Sequence, residues 1–120
     1  MHELSIAQEI IDVAVQTIPS ENYHLVKAIR ISIGEFCNII PDSLLFCYNS
    51  LIDSSPILNC RLEIESIPLT VYCSSCNVNI EIKQPNFFCS KCGGTDIKIV
   101  SGQELSIKEI ELEDDLREAT

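Results

Sequence analysis

The chain has 120 residues, 46% of them apolar and 22% charged, which is enough apolar material for a real core and too much for a disordered chain. Its net charge of −10, with only eight Lys and Arg, counts against nucleic acid and anionic membranes and favours basic protein partners or plain solubility. No apolar run approaches the roughly 20 residues of a membrane-spanning helix, and the start MHELSIAQEI, with acids at Glu3 and Glu9 and no basic segment, is not a secretion signal.

Residues 4–18 repeat apolar groups at Ala7, Ile10, Ile11, Ala14 and Ile18, with Gln8, Glu9, Asp12 and Gln16 on the other face. The period predicts an amphipathic helix, stopped by Pro19 and Ser20. Residues 23–33 alternate instead: Leu25, Ile29, Ile31 and Ile33 against Val26, Ala28, Arg30 and Ser32. That predicts a half-buried strand ended by Gly34. A second helix starts near Pro41, a residue suited to a first helical position, and presents Leu44, Leu45, Tyr48, Leu51 and Ile52 to the core. Residues 60–67 alternate again, with Cys60, Leu62 and Ile64 inward and Arg61, Glu63 and Glu65 outward.

After Pro68 the texture changes. Residues 69–102 hold two CxxC pairs, short strand-like runs at 78–82 and 97–100, and Gly93-Gly94. Alternation resumes at Leu105 and Ile107 and breaks parity at Ile110 and Leu112, which predicts a bulge near Lys108 or Glu109. The expected class is α+β. A small three-stranded sheet carries two helices on one face, and a zinc-ribbon-like β module with a four-cysteine site is inserted before the last strand. The expected domains are 1–68, completed by the strand at 103–112, then 69–102, with 113–120 an acidic tail.

Seven cysteines is many for this length, the number is odd, and four lie in CxxC pairs. Without a secretion signal that pattern favours metal over disulfides and a reducing, cytoplasmic setting. Cys73-Ser-Ser-Cys76 and Cys89-Ser-Lys-Cys92 are two knuckles, each able to bring two thiolates to one ion. A hairpin with 78–82 as one arm and Phe87-Phe88 leading into the second knuckle would join them. Four thiolates leave no position for water, so the site reads as structural zinc. Iron and redox dithiols are the alternatives. Cys37, Cys47 and Cys60 lack paired spacing and read as small apolar groups.

His2 is a subtler signal. The Met1 α-amine, the His2 amide nitrogen and the His2 imidazole can form fused chelate rings on one ion, with a further ligand from the Glu3 amide or carboxylate. Such nitrogen-rich, tetragonal sets suit Ni(II) and Cu(II). A lone terminal His is otherwise a solvated end, and Glu3 alone is a favourable charge at a helix N-terminus. His24 reads as a surface residue.

MHELSIAQ, IGEFCNIIPDSLLFCY, CSSC, CSKCGG and IVSGQELSIKEIE together resemble the HypA/HybF family, nickel chaperones for maturation of nickel-iron hydrogenases and, in some organisms, of urease. The similarity runs over residues 1–112. It implies a non-enzymatic nickel metallochaperone with a helix-sheet-helix nickel domain and a zinc domain. It implies nickel at His2 with Met1 and Glu3, and zinc at Cys73, Cys76, Cys89 and Cys92. The implied partners are a HypB-type nickel GTPase, the hydrogenase large subunit and, where urease is served, urease maturation proteins. A monomer or weak homodimer is permitted. Cys37 departs from many members, where a small or apolar residue is more usual. No GxxxxGK[ST] loop is present, so nucleotide hydrolysis falls to a partner. The rival reading is a zinc-ribbon interaction module without nickel transfer.

Overall fold

In a computed structural model of the chain, residues 3–83 and 87–113 are described. The elements are α1 (Glu3–Thr17), a 3₁₀ turn (Ser20–Leu25), β1 (Val26–Gly34), α2 (Pro41–Ile52), β2 (Arg61–Ile67), β3 (Leu69–Cys73), β4 (Val78–Ile82), β5 (Ile97–Ser101) and β6 (Leu105–Leu112). The class is α+β, with sheets ordered β2-β1-β6 and β4-β3-β5. The chain divides into two compact units. The first comprises Met1–Ile31, Ile39–Glu65 and Ser106–Thr120, and the second Ser32–Asn38 and Ser66–Leu105. Among the described residues no helix is long and apolar enough to cross a membrane.

In the first unit, α1 buries Ile6, Ala7, Ile10, Ile11 and Ala14, the stripe its period specifies. α2 packs against α1 and buries Leu44, Tyr48 and Ile52, while Leu45 and Leu51 stay half-buried at the edge of that stripe. Pro41 opens α2, where its missing N–H costs nothing. Ile40 and Pro41 carry no capping side chain, and the Glu3 carboxylate instead accepts the Ile40 N–H at 3.3 Å. Tyr48, fully buried, donates its hydroxyl to the Cys60 carbonyl at 2.9 Å.

Two expectations for residues 23–33 need correction. The strand starts at Val26, because residues 20–25 coil into a 3₁₀ turn after Pro19, with Tyr23 Oη donating to the Val15 carbonyl at 2.9 Å. β1 is also not half-buried: Val26, Ala28, Ile29, Ile31, Ser32 and Ile33 are all inside. β1 is the middle strand of its sheet, between β2 and β6. The β1–β6 pairing is antiparallel, since Leu25 accepts from Glu113 and Gly34 donates to Glu104. Lys27 is exposed and Arg30 half-buried. Arg30 Nε donates to Glu63 of β2 at 2.7 Å, one terminal nitrogen donates to Glu109 at 2.5 Å, and the other to Glu111 of β6.

β6 runs as one strand from Leu105 to Leu112. Lys108 and Glu109, successive residues, both join the ion pairs of the sheet surface, Lys108 with Glu65 at 2.7 Å and Glu109 with Arg30. Ile107 and Ile110, three apart, both line one groove with Val13, Thr17 and Ile18.

The second unit is built around β3, a strand the residue pattern had not singled out. β3 pairs antiparallel with β4 (Leu69↔Ile82 to Cys73↔Val78) and with β5, where the register shifts between Thr70 and Val71. Leu69, Val71 and Cys73 alternate inward and form a core with Ile80, Ile82 and Cys89. The run at 78–82 is a hairpin arm as expected, and its partner is β3; Phe87 packs edge-on against Phe36 with ring centroids 5.1 Å apart.

Candidate metal centre

β3 delivers Cys73 at its end, and a tight turn delivers Cys76 before β4 begins. The turn closes with the Asn77 N–H donating to the Cys73 carbonyl at 2.8 Å, Asn77 sitting at φ 56°, a conformation Asn tolerates better than most residues. Tyr72 Oη braces it by donating to Asn77 Oδ1 at 2.9 Å. The second knuckle reverses at Gly93, whose φ of 71° favours glycine and whose N–H donates to the Cys89 carbonyl at 2.7 Å. The Cys89 N–H donates to the Gly94 carbonyl at 2.8 Å, and the Ser74 N–H donates to the Asp96 carbonyl at 3.1 Å, fastening the first knuckle to the chain beyond the second.

These turns bring the Sγ atoms of Cys73, Cys76, Cys89 and Cys92 within 4.8 Å of one another. Cys73 and Cys92 are 3.7 Å apart, and Cys76 and Cys89 are 3.9 Å apart. A tetrahedron with zinc–sulfur bonds of about 2.3 Å has edges of about 3.8 Å, so the thiols already stand at the spacing such an ion sets. A disulfide, at about 2.05 Å, does not fit these separations, and all seven cysteines are free.

The thiols also perturb one another's ionisation. The Cys76 thiol is pushed up to about 12, first by its hydrogen bond with Cys92, then by burial and by Cys89 and Cys73. Burial works against ionising Cys89 too, but the backbone N–H groups of Cys92 and Lys91 outweigh it and hold that thiol at about 7. Four thiolates so close cannot ionise together in protein alone; a divalent cation removes the conflict. Two amides point at sulfur, Lys91 N–H to Cys89 and Gly94 N–H to Cys92, each at 3.4 Å. The cluster is consistent with a structural zinc.

Of the other sequence-derived candidates, Cys37 and Cys47 are half-buried, and Cys60 is buried, with its thiol raised by that burial. His24 is exposed in the 3₁₀ turn. Met1 and His2 lie outside the described residues. Glu3 opens α1, and its contact with Ile40 was not read from the sequence. The available signal was Pro41 at a helix start preceded by a residue that cannot cap.

A four-cysteine cluster on a zinc-ribbon-like sheet, in a chain that also carries a helix-and-sheet unit, defines a protein with a structural-type metal centre. The family model described as "Hydrogenase/urease nickel incorporation, metallochaperone, hypA" matches residues 1–112. The chain is 36% identical over 115 residues to the hydrogenase maturation factor HypA of Desulfatibacillum aliphaticivorans, covering 95% of this chain and 88% of that one. It is 34% identical over 121 residues to the hydrogenase maturation factor HypA of Roseiflexus sp. (strain RS-1), covering 100% and 98%. Its fold is similar to the solution structure of the Ni metallochaperone HypA from Helicobacter pylori, with a TM-score of 0.64 at 18% identity over 96% of this chain and 100% of that one. The chain belongs to the HypA family of nickel metallochaperones for hydrogenase maturation, a family that also covers urease.

Proposed function

We propose that this chain takes up Ni(II) at the Met1 α-amine, the His2 amide nitrogen and the His2 imidazole, with Glu3 completing the set, and passes it on by ligand exchange. The observation that carries this reading is the family match beginning at residue 1, which includes Met1, His2 and Glu3. The Glu3 carboxylate at Ile40 favours its backbone nitrogen as the fourth donor. Zinc held by Cys73, Cys76, Cys89 and Cys92 is the structural anchor of the second unit, saturated in sulfur and therefore without a position for substrate. The recipient is the hydrogenase large subunit, with urease maturation proteins as a second outlet, and the setting is the cytoplasm. A HypB-type GTPase supplies the nucleotide hydrolysis for which this chain has no phosphate loop. A carrier has to let go, so an affinity near micromolar, about 8 kcal/mol, suits the task better than one near picomolar.

The test is a Ni(II) titration of untagged protein, of His2→Ala and of a form extended by one residue before Met1, with zinc measured in each. The expected result is nickel binding weakened by both changes at an unchanged content of about one zinc per chain. Undiminished nickel binding in both altered forms leaves a zinc-ribbon interaction module and overturns the carrier reading.

A further inference from the structure

We propose that Cys92 is a modification site: the thiolate through which peroxides and soft electrophiles enter the zinc centre and discharge its metal. The inference rests on the zinc assignment made above. The four sulfurs are equivalent in chemistry but not in access. Cys73 and Cys89 are 1% and 0% exposed, sealed in the core with Leu69, Val71 and Ile80. Cys76 is half-buried, and Cys92 is exposed. Reaction at sulfur needs a line of approach as well as a thiolate, so a ligand set with one open member reacts there first. The surroundings keep that member open: Gly93 has nothing within 4 Å of where a Cβ would stand, and at Gly94 the nearest atom to such a Cβ is the Cys92 sulfur itself, at 3.3 Å.

The chemistry closes on residues in place. The Cys92 thiolate attacks one oxygen of a hydroperoxide; the S–O bond forms, the O–O bond breaks, and the other oxygen leaves as hydroxide or alkoxide. Sulfur loses two electrons and the peroxide gains them. The Cys73 sulfur, 3.7 Å away, then attacks the sulfenic sulfur. An S–S bond forms, the S–O bond breaks, and that oxygen departs as water after taking up a proton. Two of four thiolates are spent, and the remaining pair holds zinc too weakly to retain it.

The experiment uses the full, zinc-loaded chain. Zinc is quantified first, and content near zero overturns the zinc assignment and this proposal together. With zinc present, the protein is treated with substoichiometric iodoacetamide or with hydrogen peroxide. The modified cysteine is mapped by peptide mass spectrometry, while a chromogenic chelator reports metal release. Cys37 and Cys47 serve as reference thiols outside the centre. The expected result is that, among the four ligands, Cys92 is modified several-fold faster than Cys73 and Cys89, with zinc leaving in step. A Cys73–Cys92 disulfide is expected to follow peroxide. Gly94→Ala sets a methyl group 3.3 Å from the Cys92 sulfur; with both rates expressed per bound zinc, it is expected to slow them several-fold. Equal labelling of all four, zinc release ahead of Cys92 modification, or an unchanged rate in the Gly94 variant would overturn the proposal while leaving the zinc assignment intact.

Discussion

The backbones of Gly34 and Gly102 run so close that a Cβ on Gly34 would lie 2.1 Å from the carbonyl carbon and oxygen of Gly102. Hydrogen bonds fix the approach: Gly34 N–H donates to the Glu104 carbonyl and Phe36 N–H to the Gly102 carbonyl, both at 2.7 Å. Gly102 has a second constraint, a φ of 112°, and its own Cβ would stand 2.6 Å from Leu69 Cα. Gly34→Ala is therefore expected to destabilise the second unit by about 3 kcal/mol or more, since backbone must move. Gly102→Ala is expected to cost about as much through strain and contact together. Gly93→Ala, at positive φ but in open space, should cost only about 1 kcal/mol. Amide exchange at Val71 and Ile80 in the zinc-loaded protein measures all three. Equal losses at the three sites would contradict the argument.

Tyr48→Phe removes one hydroxyl from a fully buried ring and leaves the Cys60 carbonyl without that donor. The expected loss is about 1–2 kcal/mol. Leu44→Ala on the same helix face empties a fully buried volume and should cost more, about 2–5 kcal/mol. Urea denaturation followed by far-ultraviolet circular dichroism ranks the two, and the reverse order would show that the hydroxyl matters more than packing here.

Arg30 gathers three carboxylates, and two of them titrate low, one of them chiefly because of it. Glu63 is lowered by its bonds from Arg61 and Arg30, and Glu111 chiefly by Arg30. An unperturbed glutamate titrates at about 4.3. A carboxylate whose folded value lies below that contributes stability fully present above it, lost as pH falls through the lowered folded value. Arg30→Met is expected to be less stable at neutral pH, with the gap to the parent closing on acidification and narrowing in high salt. Thermal unfolding from neutral pH down to the acid limb supplies the measurement. A gap independent of pH would mean that Arg30 acts through packing alone.

Chelation of the metal is expected to abolish exchange protection in β3, β4 and β5, with recovery on adding zinc. The apolar core of that unit is small, and two of its six buried members, Cys73 and Cys89, are themselves metal ligands. Zinc binding in small domains supplies on the order of 10–16 kcal/mol of folding free energy. Amide exchange before and after a strong chelator is the readout; retained protection at Val71 would show that the sheet stands without the ion.

Both helices were legible because Ile6 to Ala14 and Leu44 to Ile52 repeat at the helical period, a local property. The clustering of Cys73, Cys76, Cys89 and Cys92 was legible because a CxxC turn is also local. β3 was not, because its five residues end on the cysteine that opens the first knuckle, and the motif masks the alternation of Leu69, Val71 and Cys73. The assignment of Ser32–Asn38 to the second unit was hidden as well, since the contact between Gly34 and Gly102 is written in two glycines far apart in sequence. Arg30 looked like one outward residue among several, and nothing nearby announces Glu109 and Glu111 as its partners.

The pairing of an early segment with a late one bears on how the chain is finished during synthesis. Gly34 leaves the ribosome long before Gly102 and Glu104, and β1 long before β6. A nascent polypeptide halted after the second knuckle therefore possesses all four thiols but neither completed sheet. Metal capture can precede architectural closure, and each sheet becomes whole only when its last strand, β5 or β6, has emerged.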